Sequence, residues 1–416
     1  MRILNILPYS PCPPHFGGAL RIFHLLRAMA SAHEVTVIMY GSTEQAALVR
    51  QAFGGRLAEV RAVAPPANLR GVRKRLAQAG SLLRTTSATT QAWYSAAMQE
   101  AIDRETSAGA FDVVQSENHP TGLFRVDSPG ALRVMDTQNV EHDNVRRMAA
   151  AATSPLRRWF YAREFGKVFR EEKEVYGSQD ALFVTSERDK TLLEADFPGP
   201  RVHVVPNGVD TSYFRPGEEA AEPHTLVFTG AMNYFPNADG MLYFLREIFP
   251  LVRRQIPDAR VSIVGGGPPR QLTAMASPEV TVTGYVPDVR PYVARAGVYV
   301  VPLRMGGGTR LKVLEAMAME KPVVTTRVGC EGIRVEDRAS VLLADAPEQF
   351  ASAVVELMRD ADLRRRLVRN GRELINAEYE WSVIGDRLNS VYASLGEARR
   401  AGAPRARVEP LPSLAR

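Results

Sequence analysis

Two Rossmann-like α/β domains, each a parallel sheet covered by helices, are what this sequence predicts, and three observations lead there. The chain has 416 residues, too many for one ordinary domain and suited to two facing a central cleft. Short Val/Ile/Leu-rich runs alternate with longer helical stretches in two separate series, the pattern of parallel strands buried by crossover helices. Between the series lies Pro206 to His224, rich in Pro, Gly and acidic residues and linker-like in composition.

The first series begins at residues 2–7, where Ile3-Leu4-Asn5-Ile6-Leu7 is far shorter than a signal-peptide core and lacks its cleavage site, so it reads as a strand. Further strands are expected at 35–38, 113–114, 134–135, 182–184 and 202–205. The second series runs through 226–228, 261–264, 280–282, 299–301, 323–324 and 341–343. Residues 378–395 form an amphipathic helix. The Pro-, Arg- and Ala-rich end is expected to be disordered. The expected boundaries are thus 1–205, a linker at 206–224, 225–377, a terminal helix at 378–396 and a tail at 397–416.

Hydrophobic residues at 45% and charged residues at 24% allow a large core without staples. No uninterrupted apolar stretch reaches bilayer-spanning length. Cys12 and Cys330 lie far apart and outside any paired metal-ligand spacing, which argues against a disulfide framework or zinc site and makes a reducing cytoplasm the simplest compartment. The net charge of +6 concentrates at 69–84, at Arg157-Arg158 and in the tail from Arg399. Such segments serve either as solvated helix faces or as contacts with the anionic inner face of a membrane. No recognition helix or aromatic-basic surface supports nucleic acid as a partner.

Ligands of open parallel sheets collect at the carboxyl ends of the strands. Gly17-Gly18 follow the first strand and allow close backbone approach, although this is not the G-x-G-x-x-G spacing of a dinucleotide site. Glu117-Asn118-His119 and Asp136-Thr137-Gln138-Asn139 end two other strands; loop capping and acceptor binding both account for them. Gly265-Gly266-Gly267-Pro268 reads better as a turn than as a phosphate contact. The most informative stretch is Val301 to Thr326, VPLRMGGGTRLKVLEAMAMEKPVVTT. A strand ends, Gly306-Gly307-Gly308 follow, Thr309 is placed to cap, and a helix is expected from Arg310 to about Glu320. The helix end with Arg310 and Lys312 suits a diphosphate. Glu315 falls about 40° from Leu311 on the wheel, beside the inward face, so its carboxylate needs a partner. That partner is either Lys312, in a structural pair, or a ligand's ribose hydroxyls.

The segment GGGTRLKVLEAMAMEKPVVTT resembles the donor-binding signature of the family 4 glycosyltransferases, retaining enzymes of the GT-B fold. FGGALRIFHLLRAMASAHEVTVI, TSERDK, VVPNGVD, FTGAMNYFPN and TGYVPDV agree with it in order, so the resemblance covers roughly residues 1–396. It implies an acceptor domain first, a donor domain second, and transfer of a sugar from a nucleoside-diphosphate sugar to an acceptor hydroxyl. By resemblance Glu315 binds ribose, Arg310 and Lys312 with the Gly306–Thr309 backbone meet the diphosphate, and Tyr285 and Val286 border the base. Gly17 and Gly18 would approach donor phosphates or acceptor. The implied setting is cell-surface polysaccharide or glycolipid synthesis, with a sugar or lipid-linked acceptor. No cofactor beyond the donor substrate and no metal ion is implied.

Three positions depart from the family pattern. Gly307 stands where a second glutamate often contacts the transferred sugar. Met232, Asn233 and Asn237 occupy the loop where many members carry an Arg and a Lys. Gln138 stands at the position of a first-domain histidine, leaving His119 and His142 as neighbours, of which His142 is taken as the catalytic candidate. A non-catalytic nucleotide-sugar-binding subunit and a GT-B-like sugar-nucleotide epimerase are the alternatives these departures leave open.

Overall fold

The computed structural model describes residues 1–66, 86–152, 154–217 and 221–401; the basic segment at 69–84 and the tail beyond 401 lie outside the described residues. The chain divides into two compact units, Met1–Pro206 with the residues from Gly385 onward, and Asn207–Ile384.

Unit 1 contains β1 (Arg2–Leu7), β2 (Glu34–Tyr40), β3 (Glu59–Val63), β4 (Val113–Glu117), β5 (Leu132–Thr137), β6 (Ala181–Val184) and β7 (Arg201–Val204). Their order in the sheet is β3-β2-β1-β4-β5-β6-β7, and every pairing is parallel. The central strands are buried on both faces, which is why their sequences run almost unbroken in apolar residues. The edge strand β3 has no counterpart among the sequence-predicted strands: in Glu59-Val60-Arg61-Ala62-Val63 only the two valines at 60 and 63 are buried. Helix α1 (Gly17–Ala32) follows β1, and α2 (Glu141–Ala151), α3 (Pro155–Gly177) and α4 (Glu187–Asp196) lie beyond β5 in the chain. Arg21 of α1 is 1% exposed and gives both Nε and Nη2 to Asp136 at 2.8 and 2.6 Å. A third bond, from Nη1 to the Pro206 carbonyl at 3.0 Å, ties the end of the unit's first segment to the same point.

Unit 2 contains β8 (Glu222–Thr229), β9 (Arg260–Val264), β10 (Val280–Val282), β11 (Ala296–Val301), β12 (Val323–Thr325) and β13 (Leu342–Leu343), ordered β10-β9-β8-β11-β12-β13 and all parallel. One apolar core runs through it from Val209 to Tyr379. Helix α5 (Phe235–Tyr243) follows β8, and α6 (Leu311–Ala318) follows β11.

Two boundaries differ from expectation. The stretch 206–224 is mostly part of unit 2 rather than a linker: Val209 is buried and donates its N–H to the Tyr379 carbonyl at 2.8 Å, and Phe214 packs on the core. Its turn-forming residues serve a local fold, in which Asp210 Oδ1 accepts the N–H groups of Ser212 and Tyr213 at 2.9 and 3.0 Å. The terminal helix α7 runs Trp381–Arg400, so residues 397–400, expected to be disordered, are helical. Its part from Gly385 belongs to unit 1, where a Cβ at Gly385 would stand 2.8 Å from that of Ala28 and Tyr392 is buried with its hydroxyl donated to Gln115. Among the described residues no helix is long and apolar enough to cross a membrane.

Candidate functional site

In both sheets the strand order reverses once, between β1 and β4 in unit 1 and between β8 and β11 in unit 2. Such a reversal splays the following segments apart and leaves a crevice at the carboxyl ends. Gly17 and Gly18 follow β1 and the segment 306–315 follows β11, each beside one of these reversals, whereas Tyr285 and Val286 follow the edge strand β10.

In unit 2, β11 leads into Gly306-Gly307-Gly308, with φ of +133° at Gly306 and +72° at Gly308, conformations that favour glycine. The helix that follows starts one residue later than expected. Thr309 does not cap it: its hydroxyl has no hydrogen-bond partner among the described residues, and no side chain caps α6. Arg310 is buried, with its guanidinium on the Gly307 carbonyl and, at 3.4 Å, on the Val328 carbonyl. It therefore braces the glycine loop while keeping a positive charge at the start of α6.

Val313, Leu314, Ala316, Met317 and Ala318 pack α6 into the core, which leaves Lys312 and Glu315 half-buried at its rim. The two do not pair. Lys312 Nζ donates to Asn237 Oδ1 at 2.8 Å and lies 4.0 Å from the centre of the Phe228 ring. Glu315 has no hydrogen bond or ion pair for its carboxylate among the described residues. Burial pushes Glu315 up to about 7, with the Lys312 charge pulling the other way. Burial likewise lowers Lys312 to about 7, opposed by Glu315 and reinforced by Arg310. The carboxylate thus lacks a donor among the described residues, and the ammonium is held by a neutral amide rather than by a counter-charge.

The neighbouring strand ends contribute backbone and an aromatic ring. A Cβ at Gly265 would lie 1.9 Å from the Gly230 carbonyl oxygen, so the segments after β8 and β9 touch through glycine. That close approach, rather than a phosphate contact, explains Gly265. Tyr285, after β10, is 82% exposed beside Gly266, while Val286 packs against the core. The ring is thus open to stacking by a planar group.

In unit 1, α1 begins at Gly17 with no side-chain cap and no acidic residue in its first turn. A Cβ at Gly18 would fall 2.2 Å from the Tyr9 hydroxyl and 2.7 Å from Gln138 Oε1. Tyr9 donates to Gln138 at 3.4 Å, and Gln138 Nε2 has no partner among the described residues. Gly17, Gly18, Tyr9 and Gln138 therefore meet at one strand-end cradle. Glu117 and Asp136 lie beneath it, fully buried; burial and then the Asp136 charge push Glu117 well above the carboxylate range.

His142 is not in this cradle, and its assignment as a catalytic group is corrected here. Its side chain is 2% exposed, with Nδ1 on Glu172 at 2.5 Å and Nε2 on Asp196 at 3.0 Å. Phe165, Phe169 and Phe197 surround the ring. With both nitrogens engaged and no open face, the imidazole joins α2, α3 and α4 instead of meeting a substrate. His119 is also buried, 3% exposed. Asn237 and Phe228 are the residues that sequence reasoning did not place in the site; the signal was Asn237 itself, standing in the loop where a cation was expected.

Among the described residues no three His, Cys, Asp or Glu side chains come together as a metal-binding group. Residues 17–213 match the family model described as Glycosyltransferase Family 4, and residues 223–360 that described as Glycosyl transferases group 1. A GDP-mannose-dependent alpha-(1-6)-phosphatidylinositol monomannoside mannosyltransferase of Mycobacterium tuberculosis is 28% identical over 238 residues, 51% of this chain and 61% of the relative. A D-inositol 3-phosphate glycosyltransferase of Saccharomonospora viridis is 30% identical over 263 residues, 56% of this chain and 59% of the relative. The chain thus spans less than two thirds of the length of these two relatives. In fold it is similar to a sucrose-phosphate synthase from Thermosynechococcus elongatus, with a TM-score of 0.67 at 16% identity over 96% of this chain and all of the other. With its two all-parallel Rossmann-like units and a family model matched in each, the chain belongs to the family 4 glycosyltransferases of GT-B fold.

Proposed function

We propose that this chain moves a sugar from a nucleoside-diphosphate sugar to an acceptor hydroxyl, with unit 2 holding the donor and unit 1 serving the acceptor. The observation that carries this reading is the unpartnered Glu315 carboxylate, three residues from a lysine that it does not pair with, at the strand-order reversal of unit 2. Glu315 accepts hydrogen bonds from ribose hydroxyls, Tyr285 stacks on the base, and Lys312 with the Arg310-braced loop carries the diphosphate. As the glycosidic bond breaks, negative charge grows on the departing diphosphate, and fixed cations at a helix start stabilise it without a metal ion. Retention of configuration comes with the family resemblance alone.

The acceptor is proposed to be a sugar or a lipid-linked sugar, met by a cytoplasmic protein at an anionic membrane face. Support comes from the start of α3, where Leu156 is 72% and Trp159 53% exposed among the exposed Arg157, Arg158 and Arg163. Attraction of this kind is worth about 1 kcal/mol per basic residue and is screened by salt. The full chain should sediment with phosphatidylglycerol vesicles at low salt and be released as salt rises; indifference to them at low salt removes the membrane from the account.

The transfer reading is tested by a thermal-shift screen of the full chain against UDP, GDP, ADP and TDP and their sugars, followed by assay for acceptor-dependent release of the nucleoside diphosphate. At least one diphosphate should raise the melting temperature, because it binds only the folded state. Binding without any turnover across acceptors would point to a donor-binding subunit, the reading that the Gly307 and Gln138 departures keep alive.

A further inference from the structure

We propose that Asn237 is a positioning residue for Lys312: its neutral carboxamide holds the ammonium at the end of β8 without cancelling its charge, which stays available for a diphosphate. This rests on the reading of unit 2 as the donor site.

The orientation of the amide follows from its two contacts. Asn237 Nδ2 donates to the Ala231 carbonyl at 2.9 Å, so Oδ1 is the end that faces Lys312 and accepts from Nζ at 2.8 Å. Asn237 is buried, and its backbone N–H donates to the Tyr234 carbonyl at 3.0 Å, which fixes the side chain's origin. The Phe228 ring lies under the ammonium and attracts a cation without bringing a counter-charge. Space for the pair depends on Gly230, where φ is +153° and a Cβ would fall 2.6 Å from Nζ and 2.8 Å from Nδ2.

The charged groups acting on Lys312 are Glu315 and Arg310, both from its own segment. Among the described residues Nζ also meets the Asn237 amide of α5 and the Phe228 ring of β8, neither of them charged, and the Tyr299 hydroxyl of β11 is engaged with Thr229 at 2.5 Å. Burial holds Lys312 down to about 7, so its charge is conditional, and an arriving diphosphate favours the protonated form. An aspartate at 237 would occupy the same space and neutralise the ammonium; a leucine would remove its acceptor.

The test uses the full chain with Asn237→Asp and Asn237→Leu, and Asn237→Ser should either fail to fold. In the ligand-free protein, the Lys312 resonance of lysine-labelled material, assigned with Lys312→Arg, is titrated against pH. Its midpoint should lie near 7 in the wild type and about a pH unit higher in Asn237→Asp. Affinities for UDP and GDP are then compared with those for uridine and guanosine. Either substitution should weaken diphosphate binding about tenfold while leaving nucleoside binding within about twofold. Variants that lose melting temperature but keep the wild-type Lys312 midpoint and the wild-type ratio of diphosphate to nucleoside affinity would show Asn237 to be a structural amide only. A shifted midpoint in a chain whose wild type binds none of UDP, GDP, ADP and TDP would instead leave the Asn237–Lys312 contact standing, and would remove the donor reading together with the use proposed for the charge.

Discussion

Arg310 shows how a residue can be read correctly as a cation at a helix start and still act first through its neighbours. Its guanidinium is committed to the carbonyls of Gly307 and Val328, so replacing it with Ala frees the glycine loop as well as removing a charge. Arg310→Ala should therefore lower the melting temperature and, in the protein that stays folded, reduce turnover more than donor affinity, because the charge on the leaving diphosphate grows during the reaction. Calorimetry and initial rates on one preparation check this; a variant with full turnover and lower stability would make Arg310 a loop brace alone. Glu315 was legible from the sequence because a carboxylate near the inward face of an amphipathic helix is conspicuous. Its freedom from Lys312 was not legible, since the partner that draws Lys312 away, Asn237, is 75 residues distant in the chain.

The joint of α2, α3 and α4 is where sequence reasoning and structure part most clearly. His142 lies four residues from Gln138, close enough in sequence to stand in for a missing histidine, but it is the second residue of α2, beyond the non-helical 138–140, and its ring lies in an aromatic pocket. Burial alone would lower its pKa; the hydrogen bond and charge of Glu172, and then those of Asp196, outweigh burial and leave it raised. Burial and the charge of Glu172 also push Glu141 up to about 7. Tyr176 donates to the same Glu172, and Arg188 pairs with Asp143 nearby. A group with a raised folded pKa contributes stability that is complete below its unfolded value, about 6.5 for histidine, and is lost as pH rises through the folded value. The melting temperature should thus fall as pH increases above about 6.5, and His142→Gln should flatten that part of the curve while leaving nucleotide affinity unchanged. A wild-type curve that rises over this range, or a variant that loses affinity for diphosphate without losing stability, contradicts the structural role.

At the scale of the molecule, the alternation of apolar runs was enough to reveal two parallel sheets, because strands buried on both faces leave an unmistakable record. The boundaries were not legible. Pro, Gly and acidic residues make 206–224 look like a linker, but Val209 and Phe214 within it pack on the core of unit 2, and the helical residues 397–400 have a composition that disorder also uses. A fragment of residues 207–384 keeps Val209 on Tyr379 and should fold, whereas one of residues 216–377 cuts away Val209, Phe214 and Tyr379 and should be unstable. Circular dichroism melts of the two fragments separate these outcomes; equal cooperativity would return 206–215 to the status of a linker.

The central claim is that unit 2 binds a nucleoside diphosphate through Glu315, and calorimetric titration of Glu315→Gln tests it most directly. The substitution keeps the size of the side chain and weakens its hydrogen bonds to ribose, so affinity should fall by about 1–3 kcal/mol for the diphosphate and for the nucleoside alike. The melting temperature should hold or rise, since no structural partner is lost and a half-buried carboxylate is removed. A variant that melts lower yet binds diphosphate and nucleoside as tightly as the wild type would contradict the account.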